Sequence, residues 1–109
     1  MLIYSKNVDV NLLEKKLRNR LSNFDFFYKG DAVVTSGLRT PKTNQDVGGS
    51  PTSSHLKGLA CDISCSSSKE AFGIVETALR AGFRRIGIAN DHIHLDVDPD
   101  KVQNVIWLE

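Results

Sequence analysis

The spacing of apolar residues predicts a helix over residues 10–24. Its apolar positions recur every three or four residues and would share one face; they are Val10, Leu13, Leu17, Leu21 and Phe24. Asn11, followed three residues later by Glu14, has the spacing of a capping box that would begin the helix. Basic residues between the apolar positions are typical of a solvated face.

A second helix is predicted over residues 66–82. Ser67 and Glu70 have capping-box spacing, and Gly82 is a stop signal. Phe72, Val75 and Leu79 would form its apolar stripe. The segment is therefore expected to be an amphipathic helix.

Shorter apolar runs predict four strands. Residues 31–37 read DAVVTSG and residues 59–64 read LACDIS, and each indicates one strand. The segment RRIGIANDHIHLDVDPD predicts two more strands around a turn at Asn90–Asp91. In the last strand, alternation would place one set on each face: His92, His94 and Asp96 against Ile93, Leu95 and Val97.

Two segments remain outside this pattern. Residues 38–54 are rich in Thr, Pro, Asn, Gly and Ser and predict a long irregular loop, which in a small domain is usually functional or disordered. The tail PDKVQNVIWLE predicts a short helix that starts at Pro99, with Trp107 packed on the core. Because no regular βαβ repeat appears, the predicted class is α+β: a small antiparallel sheet with flanking helices.

Composition indicates one soluble domain over residues 1–109. Hydrophobic residues make up 40% and charged residues 25%, as in ordinary globular proteins. The formal net charge of +1 does not favour general binding to nucleic acid. No apolar run is long enough for a membrane span or a signal peptide. We therefore expect a protein that is cytoplasmic as synthesised, has no membrane partner and is a monomer.

The three histidines are the candidates for metal chemistry. His55 precedes Asp62 by seven residues, whereas His92 and His94 would lie about 6.6 Å apart on one strand face. Catalytic zinc typically has three protein ligands and one water position, which two histidines and a carboxylate could provide. A half-exposed strand and a capping aspartate would explain the same residues without a metal, so their spacing leaves both interpretations open.

Cys61 and Cys65 are expected to be free thiols. Four residues of strand span about 13 Å, more than the roughly 7 Å between Cα atoms that a disulfide allows. Alternation would direct Cys61 into the core, away from Asp62. A zinc–thiolate site of both cysteines and one histidine is a rival, but C-x-x-x-C on a strand does not match structural zinc sites.

Three motifs follow one another along the chain. SSHLKGLACD, residues 53–62, has the form S-x-H-x-x-G-x-A-x-D. Upstream, SGLRTPKTNQDVGGSPTS contains S-G-x-R, an Asn and Val-Gly-Gly, and downstream stands HIHLDV. Within residues 31–98 the chain thus resembles the zinc D-alanyl-D-alanine carboxypeptidase family, which shares a fold with the hedgehog signalling domain and motifs with lysostaphin-type peptidases. The first 30 residues carry no motif of that family that we can identify.

The resemblance implies a role for residues in each motif. His55, Asp62 and His94 would be the zinc ligands. Arg39 would bind a carbonyl or carboxylate oxygen of the substrate. Ser53 would hold the loop beside the first ligand and belongs with Arg39 among the substrate-binding candidates.

Two residues compete for the role of proton carrier. Asp91 stands three residues before the last ligand, where some relatives have a carboxylate, and His92 is the first His of H-x-H. We favour His92, because it would share a strand face with the last ligand, whereas Asp91 lies at the turn and would point away from that face if the strand already runs there. Asp96 is expected to support the site rather than bind the metal. Gly58 and Ala60 would be small because the chain and the metal site crowd there.

The function implied is that of a zinc metallopeptidase acting on D-Ala-containing stem or crosslink peptides of bacterial peptidoglycan. Zinc would activate water, Arg39 would stabilise the oxyanion or pair with a carboxylate, and His92 or Asp91 would carry the proton. A phage lysis enzyme, or endolysin, that degrades the cell wall after release is a natural setting. Endopeptidase, carboxypeptidase and dipeptidase activities all remain open. The alternative is a non-catalytic zinc-binding interaction module with a hedgehog-like fold, against which Arg39 and His92 both argue.

Overall fold

Six strands form one mixed sheet in the computed structural model, which describes residues 1–109. The strands are β1 (Leu2–Tyr4), β2 (Ala32–Ser36), β3 (Ala60–Ser64), β4 (Arg85–Ile88), β5 (His92–Asp96) and β6 (Val105–Leu108). The helices are α1 (Lys15–Phe27), α2 (Pro41–Asp46) and α3 (Ser68–Ala81), with short 3₁₀ turns at Val10–Leu12 and Ser54–Lys57. The predicted α+β class is confirmed.

The strand order is β1-β2-β3-β5-β4-β6. The four inner strands pair antiparallel, as predicted, but the edge strands β1 and β6 each run parallel to their neighbour. Neither edge strand was predicted from the sequence. Both are only three or four residues long, so each shows too little alternation to identify a strand.

The two faces of the sheet have different chemistry. Cys61, Ile63, Ile93 and Leu95 are fully buried on the face that packs with α1 and α3 to form the core. Burying one such aliphatic side chain stabilises the fold by about 1.5–3 kcal/mol. The intervening residues of β3 and β5 point to the opposite face; they are Asp62, His92, His94 and Asp96. Strand alternation therefore separates the core from a polar face.

Helix α1 begins five residues later than predicted. The Asp9 side chain accepts from the Asn11 N–H at 3.0 Å and caps a separate 3₁₀ turn, so the predicted capping box is wrong. Leu13 is extended, and Glu14 forms no side-chain cap. The Glu14 N–H instead donates to the Gly58 carbonyl at 2.9 Å, which ties this segment to the turn beside the polar face.

The ends of α3 agree with the sequence, but its buried face does not. Ser67 Oγ accepts from the Glu70 N–H, and Gly82 ends the helix with φ 103°. The predicted stripe is wrong for Phe72, which is 69% exposed, and for Leu79, which is 40% exposed, whereas Val75 is half-buried and packs against the core. The buried positions are Ile74, Thr77, Ala78 and Ala81. Small side chains on this face let α3 lie close to α1, and tertiary packing thus selected a different face from the bulkiest apolar residues.

The predicted irregular loop contains helix α2. Thr40 Oγ1 accepts from the Thr43 N–H at 3.1 Å, and Pro41 occupies the first helical position. Both features are helix-start signals, because Pro needs no backbone partner there and the hydroxyl satisfies a free N–H. The interpretation of residues 38–54 as wholly irregular is therefore wrong.

The predicted tail helix is also wrong. Residues 105–108 form β6, whose β-branched and aromatic residues favour a strand. Asn104, with φ 61°, turns the chain immediately before it. Trp107 lies on the polar face rather than in the core: its ring centroid is 5.4 Å from that of His94 and 4.8 Å from the Arg85 guanidinium.

Candidate metal centre

Two adjacent strands and a turn bring three candidate ligands together. In the antiparallel register of β3 and β5, Asp62 lies directly opposite His94. His55 comes from the 3₁₀ turn, where Ser53 Oγ accepts from the His55 N–H at 3.2 Å. All three side chains are buried, and their ligand atoms lie within 4.8 Å of one another. The structure therefore groups the residues that the motifs marked as ligands.

Strand β2 supplies the support for this group. Its register against β3 shifts between Val34 and Ser36, and Ser36 pairs with Asp62. Such irregularities commonly re-aim the chain near functional sites. The residues that follow β2 therefore pass over the polar face, where the Gly37 carbonyl reaches His55 and Arg39 reaches Asp62.

In both candidate histidine ligands, the ring nitrogen that faces away from Asp62 forms a structural hydrogen bond. His55 Nδ1 lies 2.8 Å from the Gly37 carbonyl, which can only accept. His94 Nε2 lies 2.7 Å from Asp96 Oδ2, so that nitrogen also donates. His55 Nε2 and His94 Nδ1 then face Asp62 Oδ1 at 3.3 and 3.4 Å. Hydrogen bonds of this kind orient histidines toward a metal.

The buried Asp62 Oδ1 is the atom that indicates a cation. It is the single buried side-chain oxygen or nitrogen in the chain with no hydrogen-bond partner. Such an atom is costly to bury unless something else satisfies it. Two zinc ligands about 2.05 Å from the metal at the tetrahedral angle lie about 3.3 Å apart, which matches the separations from Oδ1 to both histidines. The two separations from Asp62 are therefore those expected for ligands of a tetrahedral zinc, and the two histidine nitrogens lie within 4.8 Å of each other.

The electrostatics of the metal-free site agree with this fit. Burial lowers the pKa of His94, but the carboxylates of Asp62 and Asp96 outweigh burial and raise it to about 9. Burial raises the pKa of Asp62, but the adjacent imidazoles outweigh that effect and hold it well below its usual range. A proton on His94 thus stabilises the buried carboxylate when no metal is bound, and a bound cation would replace it.

Arg39 lies beside the candidate ligands. Its Nη2 is 3.2 Å from Asp62 Oδ2, on the side of the carboxylate away from the histidines. Its Nη1 is 3.4 Å from Asn44 Oδ1, and its backbone N–H donates to the His55 carbonyl at 3.0 Å. Arg39 and Ser53 both line a cleft of about 600 Å³ that opens over the site.

His92 also faces this cleft, between two carboxylates. Its Nδ1 is 2.7 Å from Asp91 Oδ1, and its Nε2 is 3.1 Å from Glu109 Oε1 and 3.9 Å from Asp62 Oδ1. Burial lowers the pKa of His92, but these carboxylates outweigh burial and leave it raised. Asp91 is 88% exposed at the turn and reaches the site through His92.

Several residues around the site had no predicted role in it. Arg85 Nε donates to Asp96 Oδ1 at 2.7 Å, and its guanidinium lies over Trp107. Glu109 Oε2 accepts from the Trp107 indole N–H at 3.3 Å. Trp107 and Glu109 are two apart on an extended chain, so reading VIWLE as a strand would have placed both on one face.

Two further expectations have clear outcomes. A Cβ on Gly58 would lie 3.2 Å from the Leu12 carbonyl, so the crowding there comes from the N-terminal segment and not from the metal site. Cys61 and Cys65 are free and buried, as predicted. Neither belongs to a metal-ligating group, since the sole such group is His55, Asp62 and His94. The rival zinc–thiolate site is therefore not formed.

Comparison with known proteins identifies the family. Residues 4–96 match the sequence model of the family described as Peptidase M15, so most of the first 30 residues fall within the match. No curated protein matches this chain. No helix combines the length and the apolar character needed to cross a bilayer. The chain belongs to the peptidase M15 family, the zinc-dependent D-Ala-D-Ala carboxypeptidase-like metallopeptidases, and is expected from this membership to share the hedgehog/DD-peptidase fold.

Proposed function

We propose that this protein is a zinc peptidase that hydrolyses D-Ala-containing stem or crosslink peptides of bacterial peptidoglycan. The observation that carries the proposal is the unpartnered, buried Asp62 Oδ1, faced at 3.3 and 3.4 Å by two oriented histidine nitrogens. Family membership supports peptide hydrolysis. A phage lysis enzyme is the setting we propose for this activity.

His55, Asp62 and His94 would hold the zinc. Bound there, zinc would lower the pKa of a water ligand to about 7 and polarise the scissile carbonyl. The Gly37 carbonyl and Asp96 keep the two imidazoles in the tautomers that leave one nitrogen free for the metal.

Arg39 and Ser53 would bind the substrate. A guanidinium has five N–H donors, of which Asp62 and Asn44 accept two, so donors remain for a substrate carboxylate or a developing oxyanion. Ser53 Oγ accepts from the His55 N–H, which leaves its own hydroxyl hydrogen free to donate.

His92 is our candidate for the proton carrier. Its Nε2 is the ring atom that faces the ligands, whereas Asp91 contacts the outer nitrogen, Nδ1, at 2.7 Å. Asp91 would therefore act through His92 by holding the orientation of its ring. The carboxylates beside His92 outweigh burial and raise its pKa, which favours the protonated ring that a donor to the leaving amine needs.

The composition of the cleft supports a peptide with small side chains. Of the 16 residues that line the cleft, two are apolar, Val47 and Trp107. Such a surface offers hydrogen bonds to a peptide backbone but little apolar area for a large side chain. D-Ala, with a single methyl group, matches this surface.

The test combines zinc analysis with a cleavage assay. Purified wild type, His55→Ala and His92→Ala proteins would be analysed for zinc. Each would be incubated with purified peptidoglycan and, separately, with free D-Ala-D-Ala, and the products would be read by mass spectrometry. We expect about one zinc per wild-type chain and release of D-Ala or crosslink fragments. His55→Ala should lose the metal, whereas His92→Ala should retain zinc and lose cleavage.

The products would also distinguish the remaining activities. Free D-Ala indicates a carboxypeptidase, separated crosslinks indicate an endopeptidase, and cleavage of free D-Ala-D-Ala alone indicates a dipeptidase. Stoichiometric zinc with no cleavage of any of these substrates would support the non-catalytic zinc-binding module instead. Absence of zinc after reconstitution would show that the metal site is wrong.

A further inference from the structure

Asn44 is a buried polar residue without a role in the function proposed above. It is 3% exposed and is the sole buried residue of α2, whose other five residues are exposed. A buried amide is unfavourable unless its polar atoms find partners, so its contacts indicate what it does.

Every polar atom of Asn44 has a partner. Its Nδ2 donates to the Ser50 carbonyl at 2.8 Å, and its Oδ1 accepts from Arg39 Nη1 at 3.4 Å. Its backbone carbonyl accepts from the Gly49 N–H at 2.8 Å, and its backbone N–H donates to the Thr40 carbonyl at 2.9 Å. One amide thus joins the arginine beside the metal ligands to the loop on the rim of the cleft.

We propose that Asn44 is a positioning residue for Arg39. The guanidinium has two side-chain acceptors, Asp62 Oδ2 and Asn44 Oδ1. Arginine has many rotamers, and a second fixed acceptor restricts them. Without Asn44 the guanidinium would keep one contact and could turn away from the orientation that presents its remaining donors to the cleft. This inference rests on the proposed function, in which Arg39 binds a substrate oxygen.

Gly49 provides the space that the amide needs. A Cβ added there would lie 2.1 Å from Asn44 Oδ1, closer than any non-bonded contact allows. The backbone of Gly49 is not in the left-handed region, so space and not conformation requires glycine here. Gly49→Ala should therefore displace the same amide without altering Asn44 itself.

A double-mutant cycle separates positioning from a general structural effect. The zinc-loaded full chain would be assayed with a D-Ala-containing muropeptide as wild type, Asn44→Ala, Arg39→Ala and the double variant. We expect Asn44→Ala to lower kcat/KM about tenfold, the scale of one hydrogen bond to a charged group. In the Arg39→Ala background it should cause almost no further loss, because the group that it positions is absent.

Two more variants test the same contact. Asn44→Asp retains an acceptor for Arg39 but places its second oxygen against the Ser50 carbonyl, so it should keep more activity than Asn44→Ala and less than wild type. Gly49→Ala should resemble Asn44→Ala. Gln45→Ala, at an exposed position of the same helix, is the matched control and should leave kcat/KM unchanged. Equal fold losses from Asn44→Ala in the presence and absence of Arg39 would overturn the proposal.

A measurement that needs no turnover keeps the two proposals distinguishable. The ¹⁵N heteronuclear NOE of Arg39 Nε reports whether this side chain is held. It should be high in wild type and Asn44→Asp, and low in Asn44→Ala and Gly49→Ala. An unchanged NOE in folded Asn44→Ala would overturn the positioning role even if peptidoglycan is cleaved. The expected NOE pattern without cleavage would reject the proposed substrate and retain the positioning role; if Asn44→Ala does not fold, the other two variants decide.

Discussion

Replacing Asp96 with asparagine should weaken zinc binding with almost no change in side-chain volume. Asp96 is 1% exposed; its Oδ2 accepts from His94 Nε2 at 2.7 Å. Its Oδ1 accepts from Arg85 Nε at 2.7 Å and from the Asp98 N–H at 3.1 Å. Asparagine offers one acceptor and one NH₂ donor. In either amide orientation a donor would therefore face a donor, at His94 or at Arg85 and Asp98.

The size of the loss follows from these contacts. Removing the carboxylate that orients a metal-binding histidine typically lowers metal affinity by about 10–100-fold, or about 1.4–2.7 kcal/mol. Burial raises the pKa of Asp96, but its contacts with His94, the Asp98 N–H and Arg85 outweigh burial and lower it, so the native group is an anion at neutral pH. The free energy of unfolding should fall as well, by about 3–5 kcal/mol, because the Arg85 guanidinium stays buried without its counterion.

The assay must measure affinity and stability separately. Zinc affinity would be determined by competition with a chelator, and thermal unfolding would be followed with and without zinc. Asp100→Asn is the matched control: it removes the same charge from a side chain that is 78% exposed and should change affinity less than about twofold. If Asp96→Asn lowers the melting temperature but retains wild-type zinc affinity, Asp96 does not orient His94 for the metal, and the tautomer argument is refuted.

Three further predictions concern protons and backbone strain. Burial lowers the pKa of His94, but two carboxylates outweigh burial and raise its metal-free pKa to about 9. Zinc must displace that proton, so zinc affinity should increase with pH up to about pH 9, and calorimetry in several buffers should detect proton release near pH 7. A pH-independent affinity would contradict this. Burial raises the pKa of Asp98, but a serine hydroxyl, a backbone N–H and a lysine outweigh burial and lower the pKa to about 2. The stabilisation that Asp98 provides should therefore be complete above about pH 4 and lost toward pH 2. In urea titrations, the difference in free energy of unfolding between wild type and Asp98→Asn should shrink as the pH falls. Gly58→Ala should lower the free energy of unfolding by about 1–2 kcal/mol because φ is 71°, and by more because the new Cβ would contact the Leu12 carbonyl. At Gly30, φ is 92° but a Cβ would have no neighbour within 4 Å, so Gly30→Ala should lower the melting temperature less.

The parts predicted correctly depend on interactions between near neighbours in sequence. In the strand HIHLD, side chains alternate between the two faces of the sheet, so His94 points to the opposite face from Ile93 and Leu95 whichever strands lie beside it. The Ser67 cap and the Gly82 stop of α3 involve atoms three or four residues away. The candidate ligands were named differently: the spacing of His55 and Asp62 left both interpretations open, and the resemblance to a family marked them. Their role as ligands stays a prediction.

The errors arose mainly where contacts with distant parts of the chain decide the local structure. Asp9 caps a separate 3₁₀ turn before the first helix, and the Glu14 N–H donates to the Gly58 carbonyl, in a part of the chain more than forty residues away. Residues 105–108 form a strand because they pair with the edge of β4. The sequence of the segment does not show that this edge is available.

The local pattern along the chain accounts for the class, the inner strands and the ends of α3, and the motifs that resemble a known family marked the three candidate ligands. Only the tertiary structure brings these ligands together. The separations of 3.3 and 3.4 Å from Asp62 to His55 and His94 depend on strand register and on the path of the chain after β2. The tertiary structure also decides the tautomers of the ligand histidines, the contact of Arg39 with Asn44, and the positions of Trp107 and Glu109 beside the site. Hydrogen bonds and ligand distances act over a few ångströms, and sequence spacing does not specify which distant segments come within that range.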